Sequence, residues 1–313
     1  MTHHAIVVGG SYAGLAAALQ LARARRRVLV IDEGVRRNRF AAASHGFLGQ
    51  DGRPPGEIVA EARAQLMRYP TVAWESGRAE RAERTGGGFR VVGPDGRRQV
   101  ARRLVLATGV VDALPDIPGL AERWGRSAFH CPYCHGYELM EGAIGVIAVS
   151  PLSLHHALML PDWGPTDLLL NGAFVPDAEQ AAQLARRGVS VEAAPIRDIA
   201  GERADVRLAD GRVLSFAGLF VMPRTRVAGP LAAQLGCAFA AGPMGDYIRT
   251  DAIMATSVPG VFACGDAARA AGSVALAVGD GTMAGAATHR SLILGDEAAA
   301  PEGSSRAMPA GGR

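Results

Sequence analysis

The chain has 313 residues, 49% hydrophobic and 20% charged, which excludes disordered and fibrous classes and exceeds the size at which one core usually splits, so two domains are expected. A formal charge of +3, with arginines scattered through both halves, gives no basic stripe for nucleic acid or anionic lipid. No apolar run approaches the ~20 residues of a membrane helix, and Met1-Thr2-His3-His4 leads into a strand-like run rather than a signal-peptide core, so a cytoplasmic protein without nucleic-acid or membrane partners is expected.

Residues 5–9 form a short apolar run rich in β-branched side chains, residues 13–25 are rich in helix-forming alanine and leucine, and residues 28–31 are a second apolar run ending at Asp32. This is a βαβ pattern. Its turn reads Gly9-Gly10-Ser11-Tyr12-Ala13-Gly14, in which Gly9 permits the tight turn and Gly14 permits close packing of helix on strand. The amides opening the helix, at Ser11, Tyr12 and Ala13, would face a pyrophosphate, and Asp32 or Glu33 would accept from a ribose hydroxyl. Ser11 departs from the pattern, since it occupies the middle glycine position. The alternative reading is a sharp strand-to-helix turn of the kind found in any α/β protein.

Residues 34–56 read as a long irregular connection carrying Arg36, Arg37, Arg39 and Ser44-His45-Gly46-Phe47-Leu48-Gly49-Gln50-Asp51-Gly52. Residues 58–68 are expected to be helical, and residues 89–92 and 99–105 to form a hairpin across Gly93-Pro94-Asp95-Gly96. The second hairpin strand continues into Ala107-Thr108-Gly109, and Pro115, Pro118 and Gly119 suggest a domain crossing. A second βαβ-like pattern follows, with strands at 144–149 and 167–170 and a helix at 153–160. Its turn, Ala148-Val149-Ser150-Pro151-Leu152-Ser153, lacks glycine. Further helix at 180–187 and strands at 206–208 and 219–222 precede Gly265-Asp266 and a small-residue helix at 281–294. The Ala/Pro/Gly/Ser-rich tail, residues 296–313, is expected to be mobile.

Four cysteines occur, and two of them lie together in Cys131-Pro132-Tyr133-Cys134. In a reducing compartment such a pair is more often catalytic or metal-binding than structural. Three readings compete with a redox dithiol. His130 and His135 allow a zinc site, though one strained within six residues. Cys131 to His135 also fits a c-type haem attachment pattern, which normally needs export, and two buried structural thiols are the remaining choice. Cys237 and Cys264, without near partners, read as buried structural cysteines.

Taken in order along nearly the whole chain, the turn at Gly9 to Gly14, the Ala107-Thr108-Gly109 strand end, the dithiol after a crossing and the Gly265-Asp266 element resemble the low-molecular-weight thioredoxin reductases and their flavoprotein relatives. The resemblance implies an α/β fold of two Rossmann-like, three-layer nucleotide-binding domains, the second inserted into the first. Residues 1–113 and 244–295 would bind FAD, and residues 114–243 would form an NAD(P)-binding-like insert carrying the dithiol. It implies that Asp266 bonds the ribityl chain of FAD and that a helix N-terminus around residues 279–282 faces the pyrimidine end of the flavin, where its dipole suits an anionic reduced ring. Arg39, Thr108, Gly109, Gly265 and Ala275 complete the implied cofactor set, and a homodimer is expected.

The resemblance further implies that Cys134 faces the flavin while Cys131 exchanges with substrate. His135 stands where the reductases carry an acid-base aspartate; an imidazole titrating near neutrality would keep that role. Glu138 either orients His135 or sits in a solvated turn. The run Cys-Pro-Tyr-Cys-His-Gly-Tyr-Glu, residues 131–138, resembles most closely the dithiol oxidases that close the disulfides of gliotoxin- and holomycin-like natural products. In the reductases of this family a glycine turn and a basic cluster hold NADPH; here the corresponding positions read Ala148 to Ser153 and Asn171-Gly172-Ala173, with no arginine for a phosphate. The nucleotide site therefore reads as lost or weakened. Three functions follow: an oxidase passing electrons from a dithiol through FAD to oxygen, a reductase supplied weakly by NAD(P)H or by a reduced protein, and a non-enzymatic flavin sensor. The substrate would be a small-molecule dithiol or a thioredoxin-like protein.

Overall fold

The computed structural model describes residues 2–93, 95–201 and 203–295. Pro94 of the hairpin turn and the tail expected to be mobile lie outside them. The chain opens with β1 (His3–Val8), α1 (Tyr12–Arg23), β2 (Val28–Asp32), α2 (Pro55–Leu66) and β3 (Val72–Ser76), whose strands lie parallel in the order β3-β2-β1. An antiparallel meander, β4 (Arg81–Thr85), β5 (Gly88–Val92) and β6 (Arg98–Leu106), returns the chain so that β6 runs parallel to β1, with Ala5 opposite Arg103 and Val8 opposite Leu106. Apolar residues occupy both faces of β1 and β2, as a sheet covered on both sides requires. Ile6, Val8, Leu29 and Ile31 enter one core; Ala5, Val7, Val28 and Val30 enter the other.

After β7 (Val110–Ala113) the same plan is repeated: β8 (Ala128–Phe129), α3 (Pro132–His135), β9 (Ile144–Ile147), α4 (Leu154–Met159), β10 (Thr166–Leu169), α5 (Ala178–Arg186), β11 (Ser190–Glu192), a meander of β12 (Ile196–Ala200), β13 (Ala204–Leu208) and β14 (Val213–Phe216), and β15 (Gly218–Val221) returning beside β9. This sheet has the order β11-β10-β9-β15-β8 with every pairing parallel. The chain then re-enters the first domain through β16 (Arg224–Val227), α6 (Leu231–Gln234), β17 (Phe239–Ala240), β18 (Tyr247–Ile248), β19 (Val261–Ala263) and α7 (Val274–Leu294). Strand β19 pairs in parallel with β6, and β7 pairs antiparallel with β16, so the outward and returning crossings form one two-stranded ribbon. The molecule is thus α/β with two Rossmann-like domains, the second inserted into the first. Leu231, Ala232 and Cys237, on the insert side of the expected boundary, pack in the first domain's core with Ile6 and Leu104.

Helix α7 begins well before the expected residue 281. The Ser273 hydroxyl accepts from the Leu276 N–H at 3.2 Å and caps a first turn, Val274 to Ala277, that is followed by Val278, Gly279 and Gly281, residues of little intrinsic helix preference. Residues 279–282 are consequently interior, and the helix N-terminus lies at Val274, which corrects the expected placement. Farther along, Gly281 and Gly285 lie against the backbone of Ala13 and Ala17 of α1 so closely that a Cβ on either would collide with a carbonyl oxygen or its neighbours. Among the described residues no helix is long and apolar enough to cross a membrane.

Candidate active site

One cavity runs from the first βα turn to the dithiol. At its floor Gly9 takes φ +103°, and a side chain there would strike the Ala107 carbonyl, so β1 and β6 can end side by side only with glycine. The Gly10 N–H donates to Asp32 Oδ1 at 2.9 Å, which spends one Asp32 oxygen on holding the turn; Glu33 is exposed and has Arg78 at 3.9 Å. Ser11 begins α1 in extended conformation and its side chain caps no amide, leaving the helix N-terminus open to an anion. Ser11, Tyr12, Ala13, Asp32 and Glu33 all line the cavity. Gly14 does not; it lies behind the turn, where a Cβ would meet the Gly9 carbonyl.

The opposite wall contains Thr108, Gly109, Gly265 and Asp266, followed by Ser273, Val274 and Ala277 from the start of α7. Ala275 belongs to the same helical turn but is not in the lining, and Arg39 lies outside too, donating to the Arg36 carbonyl at 2.9 Å and stacking on Phe40. Three lining side chains, Arg36 through Nε, Asn38 through Oδ1 and Thr108 through Oγ1, hold buried polar atoms without partners. Orphaned groups of this kind, beside uncapped helix amides and a glycine cradle, fit a long polar ligand such as FAD. Sequence reasoning did not single out Asn38, Asp112 or His130 as wall residues, nor give Arg36, Arg37 or His45 a role there. The arginines after the acidic end of β2 were a usable signal; for Asp112 there was none.

Cys131 and Cys134 form a disulfide at the far end of the same cavity. Pro132, with its φ preset and no N–H to satisfy, opens the short helix α3 that brings the second sulfur back toward the first. His135 stacks on Phe129, ring centroids 4.3 Å apart. Burial, assisted by the charge of His45, pushes its imidazole down to about 4, below the expected titration near neutrality, with the dithiol in its disulfide form. His130 is pushed down to about 4 by burial and then by Arg37. Glu138 turns to His45, with Oε1 3.4 Å from Nε2, and is 41% exposed. Tyr133, Tyr137 and Met140 project into solvent around the dithiol, and Trp163 meets Tyr133 edge to face. Among the described residues no group of three or more His, Cys, Asp or Glu is arranged to hold a metal. Cys237 and Cys264 are buried, and burial raises both thiols above the ordinary cysteine range.

In the inserted domain, the turn after β9 closes on itself. Ser153 Oγ accepts from the Val149 N–H at 3.0 Å, Ser150 Oγ accepts from the Leu152 N–H at 3.3 Å, and the Ser150 carbonyl accepts from the Ser153 N–H. Asn171, after β10, accepts from the Ile196 N–H through Oδ1.

Residues 3–281 match the model of the pyridine nucleotide-disulphide oxidoreductases. The chain belongs to that family. Membership makes it an oxidoreductase and implies a bound flavin. Two fungal relatives, thioredoxin reductase tcpT of Claviceps purpurea and thioredoxin reductase sirT of Leptosphaeria maculans, are 33% and 31% identical to it. These alignments cover 92% and 94% of this chain and 94% and 96% of theirs. Among solved structures, an oxidoreductase from Agrobacterium tumefaciens is 61% identical with a TM-score of 0.91, over 93% of this chain and 99% of that one. HlmI is 36% identical with a TM-score of 0.87, over 93% of each chain. The thioredoxin-reductase likeness read from the dithiol and the three glycine-bearing elements therefore extends over 93% of the chain.

Proposed function

We propose that this pyridine nucleotide-disulphide oxidoreductase is a dithiol oxidase: a substrate dithiol is closed to a disulfide through Cys131 and Cys134, and its two electrons pass by way of FAD to oxygen, giving hydrogen peroxide. The observation that carries the reading is the pairing of a dithiol on the flavin cavity with a second-domain turn whose amides are taken up by Ser150 and Ser153. A pyrophosphate would have to displace those hydrogen bonds, and the segment Asn171-Gly172-Ala173 after β10 supplies no arginine to compensate.

In this reading residues 1–113 and 244–295 hold FAD and residues 114–243 present the dithiol. Ser11, Tyr12 and Ala13 face the pyrophosphate, Glu33 the ribose, and Asp266 the ribityl chain. Bound FAD supplies a two-electron acceptor that oxygen can reoxidise. A substrate thiolate attacks Cys131 Sγ, and Cys134 leaves as thiolate into the cavity. The second substrate thiolate then displaces Cys131, releasing the substrate disulfide and leaving the enzyme pair reduced by two electrons. Neutral His135 accepts a thiol proton during this exchange, and the stacking on Phe129 fixes its ring. The substrate is a small-molecule dithiol or a thioredoxin-like protein, and the enzyme acts as a cytoplasmic homodimer, which light scattering of the purified protein tests.

The names of the relatives tcpT and sirT, both thioredoxin reductases, favour the second reading, a disulfide reductase. An anaerobic titration of the holoenzyme separates them. Dithiothreitol should bleach the flavin rapidly and NADPH or NADH slowly, if at all, and admission of air should restore the colour with oxygen uptake. Rapid stoichiometric bleaching by micromolar NADPH would return the protein to the reductases.

A further inference from the structure

A half-buried charge cluster in the cavity wall has no part in the exchange just described. Arg37 donates through Nε and Nη2 to the two oxygens of Asp112, at 3.0 and 2.6 Å, and through Nη1 to Asp266 Oδ2 at 2.8 Å. Its side chain is 22% exposed and that of Asp112 9%. Burial opposes its charge, but the two carboxylates more than offset this and raise the guanidinium above the ordinary arginine range. The positions of the two carboxylates give the cluster its interest. Asp112 lies within β7, opposite Thr225 of β16, on the ribbon through which the chain leaves and re-enters the first domain. Asp266 lies just after β19, on the turn assigned above to the ribityl chain. Its Oδ1 is packed against Gly272, where any side chain would collide with it, so the carboxylate has little freedom to turn away. The charges of Arg37 and Asp112 also reach His130, the residue before Cys131.

We propose that Arg37 is a positioning residue that couples flavin occupancy to the seating of the dithiol. One arm of its rigid fork fixes the crossing ribbon that carries the inserted domain, and the other fixes Asp266 where the flavin is received. A lysine has no such fork: its ammonium is a point charge on a flexible stem and could not hold Asp112 through two parallel bonds while reaching Asp266 in a fixed direction. The proposal rests on the reading that FAD fills this cavity with Cys134 against the ring. It adds that the two halves of the site are kept in register by this guanidinium rather than by the dithiol turn alone.

The test uses holoenzyme carrying Cys131→Ser, in which a lone Cys134 thiolate against oxidised flavin should give a broad long-wavelength absorbance. Adding Asp112→Asn cuts the ribbon arm: the band should fall at least threefold while the FAD dissociation constant changes less than threefold. Adding Arg37→Met cuts both arms, so the band should fall and FAD should bind at least tenfold more weakly; Arg37→Lys should not restore the band. A band of undiminished intensity in the folded Asp112→Asn protein overturns the coupling, and that milder variant decides the matter if Arg37→Met does not fold. Hydrogen exchange gives a readout that does not depend on Cys134. Titrating FAD into the otherwise unmodified chain should slow exchange in β7 and β16, and Asp112→Asn should abolish that slowing. If Cys131→Ser alone shows no band, the placement of Cys134 fails, and exchange then decides on Arg37: equal slowing with and without the Asp112 carboxylate overturns the proposal.

Discussion

Cys131 and Cys134 are three residues apart in one disulfide, yet one sulfur of such a turn can lie against a flavin only if the other is left for substrate. With Cys134 inside, Cys131→Ser should show the long-wavelength band and Cys134→Ser should lack it. Both should lose turnover by orders of magnitude, because the two thiols act as one unit. Visible spectra and steady-state rates of the two variants check this, and a band in Cys134→Ser instead would exchange the roles. In the proposed exchange His135 acts as a neutral group. Since its imidazole sits at about 4, its own protonation should put no inflection near pH 6.5 into the rate of dithiol oxidation, and the loss of its basic form should begin only on approach to pH 4. His135→Ala should slow flavin reduction by at most about 10²-fold, the low end for a positioned general base, because a base at about 4 lies well below the operating pH, while FAD remains bound. Stopped-flow reduction of both proteins from pH 5 to 8 measures it. An inflection near 6.5 that disappears in His135→Ala would mean that the ring is solvated during turnover.

The first βαβ unit was legible because β1 and β2 are apolar on both faces and the turn between them needs glycine where backbones touch. The start of α7 was not legible: Val278, Gly279 and Gly281 interrupt the helix-forming pattern one turn after the Ser273 cap, and the small-residue character of the helix serves a neighbour rather than its own axis. That neighbour is α1. Ala13 and Ala17 approach Gly281 and Gly285 at backbone distance, which ties α1, at the first βα turn, to α7, whose first turn lines the same cavity. Gly281→Ala should therefore cost about 1–3 kcal/mol, as overpacking does, and weaken FAD through the displaced Ala13. Urea denaturation and FAD titration measure the two effects, and an unchanged midpoint would show that the seam can open freely. The Arg37 cluster was illegible for another reason. Its members are separated by 75 and 229 residues, and neither helical nor strand periodicity links positions that far apart; only the crossing ribbon and the return of β19 bring them together.

Across the whole molecule the dithiol region depends on histidines that the fold keeps uncharged. His130 and His135 line the cavity and His156 lies on α4 of the inserted domain against Phe220, and burial, the largest cause in each, pushes all three to about 4 from an ordinary 6.5. Burial also lowers His3, His4 and His289, so no histidine with a resolved shift works in the opposite direction. Above pH 6.5 these rings are neutral in both folded and unfolded chains and contribute no pH dependence. Between 6.5 and 4 the unfolded chain binds protons that the folded chain refuses, so stability falls as pH falls, and below 4 the loss stops growing because the folded state is protonated too. Each ring held fully neutral adds a slope of at most about 1.4 kcal/mol per pH unit in that window, reduced where solvent reaches it. The depressed carboxylates Glu192, Asp198 and Asp210 lose their contribution mainly below this range and cannot account for a decline that begins above pH 6. Urea midpoints of the disulfide-intact protein should therefore fall steadily from pH 7 to pH 4.5. His156 is the ring to remove, since it is 5% exposed, carries an unpartnered Nδ1 and lies against Phe220. His156→Phe should flatten the decline by about one proton's worth, and a midpoint independent of pH between 7 and 5 in the parent protein would show that these imidazoles are charged or solvated in the fold.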